Sequence, residues 1–200
     1  MTNYGGIIDI EVNAMNQNLN NIKIQVTDNF DMIWRYADGY LEAGNILLNL
    51  LIDPKRYDFY PKPMKESIIN IEQQEQIFPI LFLYRQYIEL SIKGLYMKYC
   101  KNKNEYKKIM EHSLENIWEK LKSKIFELNI IEEIEFDECH LEEINNIIGY
   151  FIQLDNDSFK FRYPFSKEVQ NYFKKDEKID LKDLSFKITF FSIFVEEALS

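Results

Sequence analysis

Apolar side chains recur along most of the chain at the spacing of an α-helix. Over residues 29–52 they stand three, four or seven positions apart, which predicts one long helix. That helix should end at Asp53, because the residue before a proline avoids helical backbone angles. The same spacing predicts three further amphipathic helices, with apolar stripes in residues 114–125, 141–152 and 181–195.

The stretch 78–99, FPILFLYRQYIELSIKGLYMKY, is apolar on nearly every side. A helix of that kind lies in the middle of a fold, so we predict a central buried helix over about residues 78–100. A loop with three prolines precedes it at residues 54–64. The polar residues 65–76 form either a separate surface helix or the exposed first turns of the central one. Pro79 allows both, since proline is tolerated in a first turn and otherwise kinks a helix.

Two short segments near the N-terminus, residues 7–12 and 22–26, alternate apolar and polar side chains with the period of a strand. They predict a small β-hairpin within residues 7–26. Two strands alone are marginal in water, so we expect the hairpin to lie against the helices. The segment 159–165, FKFRYPF, alternates in the same way and is expected to be extended, after a turn at residues 155–158.

Composition agrees with one mainly α-helical domain. The chain has 200 residues, of which 46% are hydrophobic, enough for a sizeable core and too many for disorder. We predict an antiparallel helical bundle over residues 1–200, built around the central helix, with residues 1–27 as an N-terminal β appendage. Fifteen phenylalanines and thirteen tyrosines indicate an aromatic-rich core.

Charge and cysteine content narrow the choice of partners and of compartment. A net charge of −9 disfavours non-specific binding to nucleic acid or to an anionic membrane. Cys100 and Cys139 form no CxxC motif, so both are expected to be buried free thiols in a reducing compartment. Neither a signal peptide nor an apolar run long enough to span a bilayer is recognisable, which predicts a cytoplasmic protein without membrane association.

The predicted central helix carries three charged residues, Arg85, Glu89 and Lys93, which we call the charged line. Their spacing of four places them on one flank of the helix. They form either an ion-pair ladder where the helix meets solvent or a buried polar line that faces a groove. Exposed pairs contribute only about 0.3–0.5 kcal/mol each, which hardly accounts for charges in so apolar a segment.

The two histidines are candidates for chemistry. His112 lies just ahead of a helix that Ser113 can cap; it either hydrogen-bonds a helix end or acts as a general base or proton donor. His140 lies beside Cys139 in an acidic stretch, but no metal-ligand spacing is recognisable, so no metal site is predicted. The chain has neither a phosphate-binding glycine loop nor a GxSxG motif, and no cofactor is predicted.

Further candidates follow the fourth predicted helix. Arg162 alternates with aromatic residues, among them Tyr163, so its guanidinium is expected to stack or to form a pair. Glu89 and Asp155 are both candidate counter-ions for Arg85, and Glu89 is the first choice. Asp155 and Tyr163 therefore join Glu89 and Lys93 as a predicted ligand-binding or polar network.

Three segments taken in order, FPILFLYRQYIELSIKGL, HSLENIWEKL and LDNDSFKFRYPFS, resemble a group of bacterial helical proteins related to the HEPN superfamily. In that group a proline and an apolar run precede an Arg-x-x-x-Glu-Leu helix, and a His-x-Leu segment opens the next helix. A segment with Phe-x-Phe-Arg-Tyr-Pro follows. The resemblance covers roughly residues 30–195 and is one of fold.

The resemblance implies an all-α bundle built on an antiparallel helix pair. HEPN proteins are often found in prokaryotic defence and toxin–antitoxin systems, and many are dimeric, metal-independent ribonucleases with an Arg-x4-6-His motif. This sequence departs from that motif. Arg35, Arg56, Arg85 and Arg162 all lack a histidine at that spacing, and the first histidine after Arg85 is His112.

The residues and the resemblance support three hypotheses. The first is a non-catalytic or degenerate HEPN-like protein of a prokaryotic defence or mobile-element system that binds a protein partner, a second copy of itself or a nucleotide-like ligand. The second is a metal-independent ribonuclease with an atypical site across a dimer groove, built from Arg85, Glu89, His112 and Arg162. In it arginine stabilises the phosphorane and His112 moves protons. The third is a structural subunit that acts only in assembly. Full pairing of Arg85 in the core favours the first; one cleft shared by Arg85, His112 and Arg162 favours the second.

Overall fold

The computed structural model describes residues 29–53, 55, 61–100, 102–128, 138–163, 166–173 and 178–200. This part of the chain is mainly helical and contains no β-strand. The predicted β-hairpin within residues 7–26 and the predicted appendage 1–27 lie outside the described residues.

The helices of the described part, in chain order, are α1 Asn29–Ile52, α2 Lys62–Tyr99, a 3-10 helix Lys103–Ile109, α3 Leu114–Glu127, α4 Glu138–Asp155 and α5 Leu181–Leu199. The bounds predicted for α1 are confirmed. Ser113 caps α3 as predicted, since its hydroxyl accepts a hydrogen bond from the Asn116 backbone N–H at 3.3 Å. Asp180 caps α5 in the same way, through the N–H groups of Lys182 and Asp183.

The central helix is longer than predicted. Helix α2 begins at Lys62, about sixteen residues before the predicted start, so the loop predicted at 54–64 ends earlier and residues 65–76 are the first turns of the same helix. Pro79 lies inside α2 and does not end it. A proline there removes one backbone hydrogen bond, and the burial of the following turns, from Ile80 onward, outweighs that loss.

Helix α2 contacts every other helix of the described part, and its longest contact is with α1. Its fully buried residues include Tyr84, Ile88, Ile92 and Leu95. The predicted stripe of α3 is buried throughout, and the stripes of α4 and α5 are buried except for the half-buried Ile152 and Leu181. These stripes pack into one apolar cluster, so the periodicity of the sequence located the core correctly.

Polar contacts also join the helices. The Tyr84 hydroxyl donates to Asn45 Oδ1 at 2.9 Å, between α2 and α1, and Trp118 Nε1 donates to Asn145 Oδ1 at 2.9 Å, between α3 and α4. At the end of α5, Lys98 Nζ donates to the carbonyl of Leu199 at 2.7 Å. A cation bound to the last carbonyls of a helix stabilises its C-terminus.

Two predictions about local structure are wrong. Residues 159–163 form a turn and not an extended segment, because the Phe159 carbonyl accepts hydrogen bonds from the N–H groups of Arg162 and Tyr163, both at 3.1 Å. Cys139 is exposed on the first turn of α4, whereas Cys100 is buried as predicted. Among the helices described, none has the length and apolar composition needed to cross a membrane.

Candidate functional site

The charged line of α2 is buried. The exposed fractions of Arg85, Glu89 and Lys93 are 0%, 2% and 6%. The interpretation of the charged line as a solvent-exposed ladder is therefore wrong. The alternative, a buried polar line, is correct in that all three side chains are buried. Buried charges destabilise a fold unless they are paired and hydrogen-bonded, so the partners of these three side chains decide what the line does.

The guanidinium of Arg85 donates hydrogen bonds to acceptors from three parts of the chain. Its Nε donates to the Asp155 carbonyl at 2.9 Å, and its Nη2 donates to the carbonyls of His112 at 2.6 Å and Asn156 at 2.7 Å. Its Nη1 donates to the carboxylate of Glu89. Four of the five N–H groups of the guanidinium are thus engaged, three of them by main-chain carbonyls.

Glu89 is the centre of the line. One carboxylate oxygen binds Arg85, and the other accepts from Lys93 Nζ at 2.6 Å and lies 3.0 Å from His112 Nδ1. Burial acts to raise the pKa of Glu89, but Arg85 and Lys93 together bring that pKa below its ordinary value. Glu89 is therefore ionised at neutral pH, and the three residues form a cluster in which one carboxylate is paired with two cations.

His112 contributes two different groups. Its main-chain carbonyl binds Arg85, while its ring contacts Glu89 and keeps 68% of the side chain exposed. One prediction was that His112 hydrogen-bonds a helix end. The ring instead contacts the carboxylate of Glu89. An imidazole that is exposed and oriented by a carboxylate is the arrangement with which acid–base catalysts move protons.

Asp155 does not act as the predicted counter-ion of Arg85. It offers Arg85 its main-chain carbonyl, and its buried carboxylate accepts from the N–H groups of Phe159 at 2.9 Å and Phe161 at 3.4 Å. These two bonds bend the chain after α4 into the observed turn. An Asp side chain that binds its own downstream backbone is typical of turns.

Asn156 is a structural residue that the sequence did not reveal. Its carbonyl accepts from Arg85 and from the Leu114 N–H at 3.0 Å, and its side-chain oxygen accepts from the Glu115 N–H at 3.0 Å. It thereby ties the end of α4 to the start of α3 around the guanidinium. Its position in the segment LDND gave only a turn signal.

Arg162 lies apart from Arg85 and His112. Its Nε donates to the Ser158 carbonyl at 2.6 Å, and its guanidinium lies 5.2 Å from the ring of Phe159 and 5.7 Å from the ring of Tyr163. The prediction that this guanidinium stacks or pairs is confirmed. Arg85 has no exposed surface, so it does not line an open cleft together with His112 and Arg162, and the cleft described below contains Arg162 alone of the three.

That cleft, which we call the aromatic cleft, has a volume of about 310 Å³ and lies at the turn after α4. Its lining consists of four aromatic residues, two cations and one amide: Phe78, Phe161, Tyr163, Phe173, Lys160, Arg162 and Asn171. Phe173 is stacked on Phe161, with ring centres 5.9 Å apart, and it also contacts Phe78 at 5.0 Å. Phe78 and Phe173 were not predicted as site residues, and half-exposed aromatics beside a turn are a weak signal.

Neither site forms a metal centre in the described part of the chain, where no group of three or more His, Cys, Asp or Glu side chains could hold an ion. His140, which the sequence places beside Cys139, is stacked on Phe190 with ring centres 6.0 Å apart. Comparisons with protein-family models, with curated proteins and with solved structures give no match for this chain. What the protein does must therefore be inferred from the charged line and the aromatic cleft.

Proposed function

We propose that this chain is a non-catalytic, HEPN-like protein of a prokaryotic defence or mobile-element system. Its helices form an antiparallel bundle, and it acts in the cytoplasm by binding a protein partner or a nucleotide-like ligand. The proposed relation to HEPN proteins rests on the three sequence segments that resemble them. The residues these segments share with that group include Arg85, Glu89, His112 and Arg162, and both Arg85 and His112 contact Glu89.

The engagement of Arg85 is the observation that supports a non-catalytic role. A catalytic arginine must direct its N–H groups at the charge that develops on the phosphorus centre. Here those groups are already bound to Glu89 and to the carbonyls of Asp155, Asn156 and His112, and none of the guanidinium is exposed. Release of Arg85 toward a substrate would leave the buried Glu89 with Lys93 and would remove the guanidinium from three carbonyls.

The position of Arg162 and the net charge of the chain also support a non-catalytic role. Arg162, the other arginine of the hypothetical nuclease, lines a cleft that Arg85 and His112 do not reach. The chain carries a net charge of −9, which repels a long polyanion such as RNA. Binding of a small ligand or of a protein is compatible with both observations.

A ribonuclease with an atypical site is the second candidate, and the pairing of His112 with Glu89 favours it. The ring is exposed and its Nδ1 lies 3.0 Å from the carboxylate, which is how enzymes orient a catalytic imidazole. In this candidate His112 would work without Arg85, because the arginine is not accessible to a phosphate.

A metal-free cleavage assay separates the two candidates. The purified chain is incubated with a pool of RNA of diverse sequence in the presence of a chelator, beside a His112→Ala variant and a buffer control. The non-catalytic proposal predicts that the wild type and the variant both leave the RNA at the level of the buffer. Cleavage by the wild type that is lost in His112→Ala would overturn it, whereas equal cleavage by both proteins would mark a contaminating nuclease, to be removed before the assay is read.

Self-association is a further part of the proposal, because the superfamily resemblance leads us to expect a homodimer. Light scattering of the full chain measures its mass in solution. Twice the chain mass of 24.1 kDa supports a homodimer, and a mass of one chain removes that part of the proposal.

A further inference from the structure

The aromatic cleft combines a wall of aromatic rings, in which Phe78 and Phe173 are inclined to each other by 49°, with two cations. Phe78 and Phe173 contact each other at 5.0 Å, and Phe173 is backed by the buried Phe161, whose ring is inclined to it by only 15°. Lys160 and Arg162 line the same space. A volume of about 310 Å³ is at the lower end of the range for small-molecule pockets, so the cleft suits a ligand of modest size.

Arg162 is held ready for an anion. The bond from its Nε to the Ser158 carbonyl and its contacts with the rings of Phe159 and Tyr163 fix the plane of the guanidinium. Its two terminal nitrogens have no hydrogen-bond partner among the described residues. Arginine binds phosphate through such a pair of parallel N–H groups, and a guanidinium already fixed in place loses little entropy on binding.

Lys160 supplies the second positive charge. Its Nζ donates one hydrogen bond, to the Gln153 carbonyl at 3.2 Å, which leaves two of its three N–H groups for a ligand. Two cations at one cleft match a doubly charged phosphate better than a singly charged carboxylate. Asn171 adds an amide that can donate to and accept from the edge of a heterocycle.

We infer that the aromatic cleft binds a nucleoside monophosphate, with the base against Phe78 and Phe173 and the phosphate on Arg162 and Lys160. This inference rests on the ligand-binding form of the proposed function and names its ligand class. Stacking of a base on aromatic side chains tolerates every base, so the specificity comes from the edge contacts. A free nucleotide fits better than a nucleotide within a strand, because the volume accommodates one unit and the net charge of the chain opposes a polyanion.

Calorimetric titration of the full chain at low salt tests the inference. The ligands are AMP, GMP, CMP and UMP, and the two halves of the ligand are represented by adenosine and inorganic phosphate. We expect at least one nucleotide to bind with one site per chain, and each half to bind at least about tenfold more weakly. Arg162→Gln should weaken nucleotide binding by about tenfold or more, because a hydrogen bond to a charged group is lost.

Lys167→Gln is the matched control. Lys167 is exposed, lies five positions after Arg162 and lines a neighbouring cleft, so its loss removes the same charge from the same region without touching the proposed site. Its affinity for the nucleotide should stay within about twofold of the wild type. An equal loss in both variants would indicate general attraction by positive charge and would overturn the site. Circular dichroism of the two variants verifies that both are folded.

Two other results would also overturn the inference: the absence of binding by all four nucleotides, and binding of a single-stranded RNA oligomer at least about tenfold tighter than any of them. Both are distinguishable from failure of the proposed function. That proposal fails if the wild type cleaves RNA and His112→Ala does not, whether or not a nucleotide binds. It stands, with a protein partner as its ligand, if neither cleavage nor nucleotide binding is observed.

Discussion

The Nη2 atom of Arg85 donates a hydrogen bond to the main-chain carbonyl of His112 at 2.6 Å, so the arginine holds the backbone of the histidine and leaves its ring to Glu89. The contact positions the residue just before the N-terminus of α3. It depends on the chain path and not on the identity of the side chain at position 112. The histidine ring and the arginine therefore have separable roles.

His112→Ala should leave the fold almost unchanged. The ring is 68% exposed, and a contact between an exposed ring and a carboxylate contributes about 1 kcal/mol or less. The carbonyl that binds Arg85 is retained in the variant. Urea denaturation followed by circular dichroism measures the free energy of unfolding. A loss above about 2 kcal/mol would show that the ring itself supports the buried cluster, contrary to this account.

Glu89 should make the protein less stable in acid. Its pKa in the folded chain lies below the ordinary value of 4.5, so its stabilising contribution is complete above pH 4.5. As the pH falls below 4.5 the unfolded chain takes up the proton first, and the contribution is lost as the pH passes through the folded-state pKa. The free energy of unfolding, measured by urea titration at several pH values, should therefore decline in this range.

Glu89→Gln isolates the part of that decline that comes from Glu89. Other carboxyl groups with lowered pKa, such as Glu111 and Asp180, remain in the variant and contribute equally to both proteins. The variant should be less stable than the wild type at pH 7, and the difference should shrink toward acid. A difference that stays constant between pH 7 and the acid limit would rule out an ionised, paired Glu89.

Gly94 should resist substitution because α1 and α2 approach closely there. A Cβ at position 94 would lie 2.5 Å from Cζ2 and 2.8 Å from Cε2 of the Trp34 ring, which is half-buried between the two helices. Gly94→Ala should cost about 1–3 kcal/mol, the usual range for overpacking. Thermal unfolding measures the effect.

Gly149→Ala is the control for this prediction. Gly149 is also inside a helix, α4, but a Cβ there meets nothing within 4 Å. Alanine should stabilise the protein by about 0.5–1 kcal/mol, because glycine is the poorer helix former. Equal effects of the two substitutions would show that the Trp34 contact does not limit position 94.

The main helices could be predicted from the sequence because each has an apolar stripe at helical spacing. The stripe of α3 from Leu114 to Ile125 is an example, and all five of its residues are buried. The start of α2 could not be predicted from the sequence, because Pro79 and the polar residues before it are compatible with a helix start as well as with a helix interior. Burial against the neighbouring helices decided between them.

The candidate site was less predictable, for a physical reason. Spacing alone placed Arg85 and Glu89 on one helix flank, yet the same spacing fits an exposed ladder and a buried pair. The acceptors that bury Arg85 are carbonyls of His112, Asp155 and Asn156, 27 to 71 residues away, and a carbonyl leaves no trace in the side-chain sequence. The turn at Arg162 was missed similarly, since the carboxylate of Asp155 binds backbone N–H groups.

Arg85 is the structural partner of the buried Glu89. A double-mutant cycle with Arg85→Ala, Glu89→Ala and the double variant tests it, by the free energy of unfolding in urea at pH 7. Each single substitution should cost about 3–5 kcal/mol: Glu89→Ala leaves the buried Arg85 and Lys93 without their carboxylate, and Arg85→Ala leaves Glu89 with Lys93 and removes the donor of three carbonyls. The exposed pair Glu119 and Lys122 is the control cycle, with an expected coupling below about 1 kcal/mol.

The deciding quantity in this cycle is the coupling free energy between Arg85 and Glu89. We predict that the double variant loses about 2 kcal/mol less than the sum of the two single losses, or that it folds where a single variant does not. If the two single losses add to within about 0.5 kcal/mol of the loss in the double variant, Arg85 is independent of Glu89 and is not its structural partner.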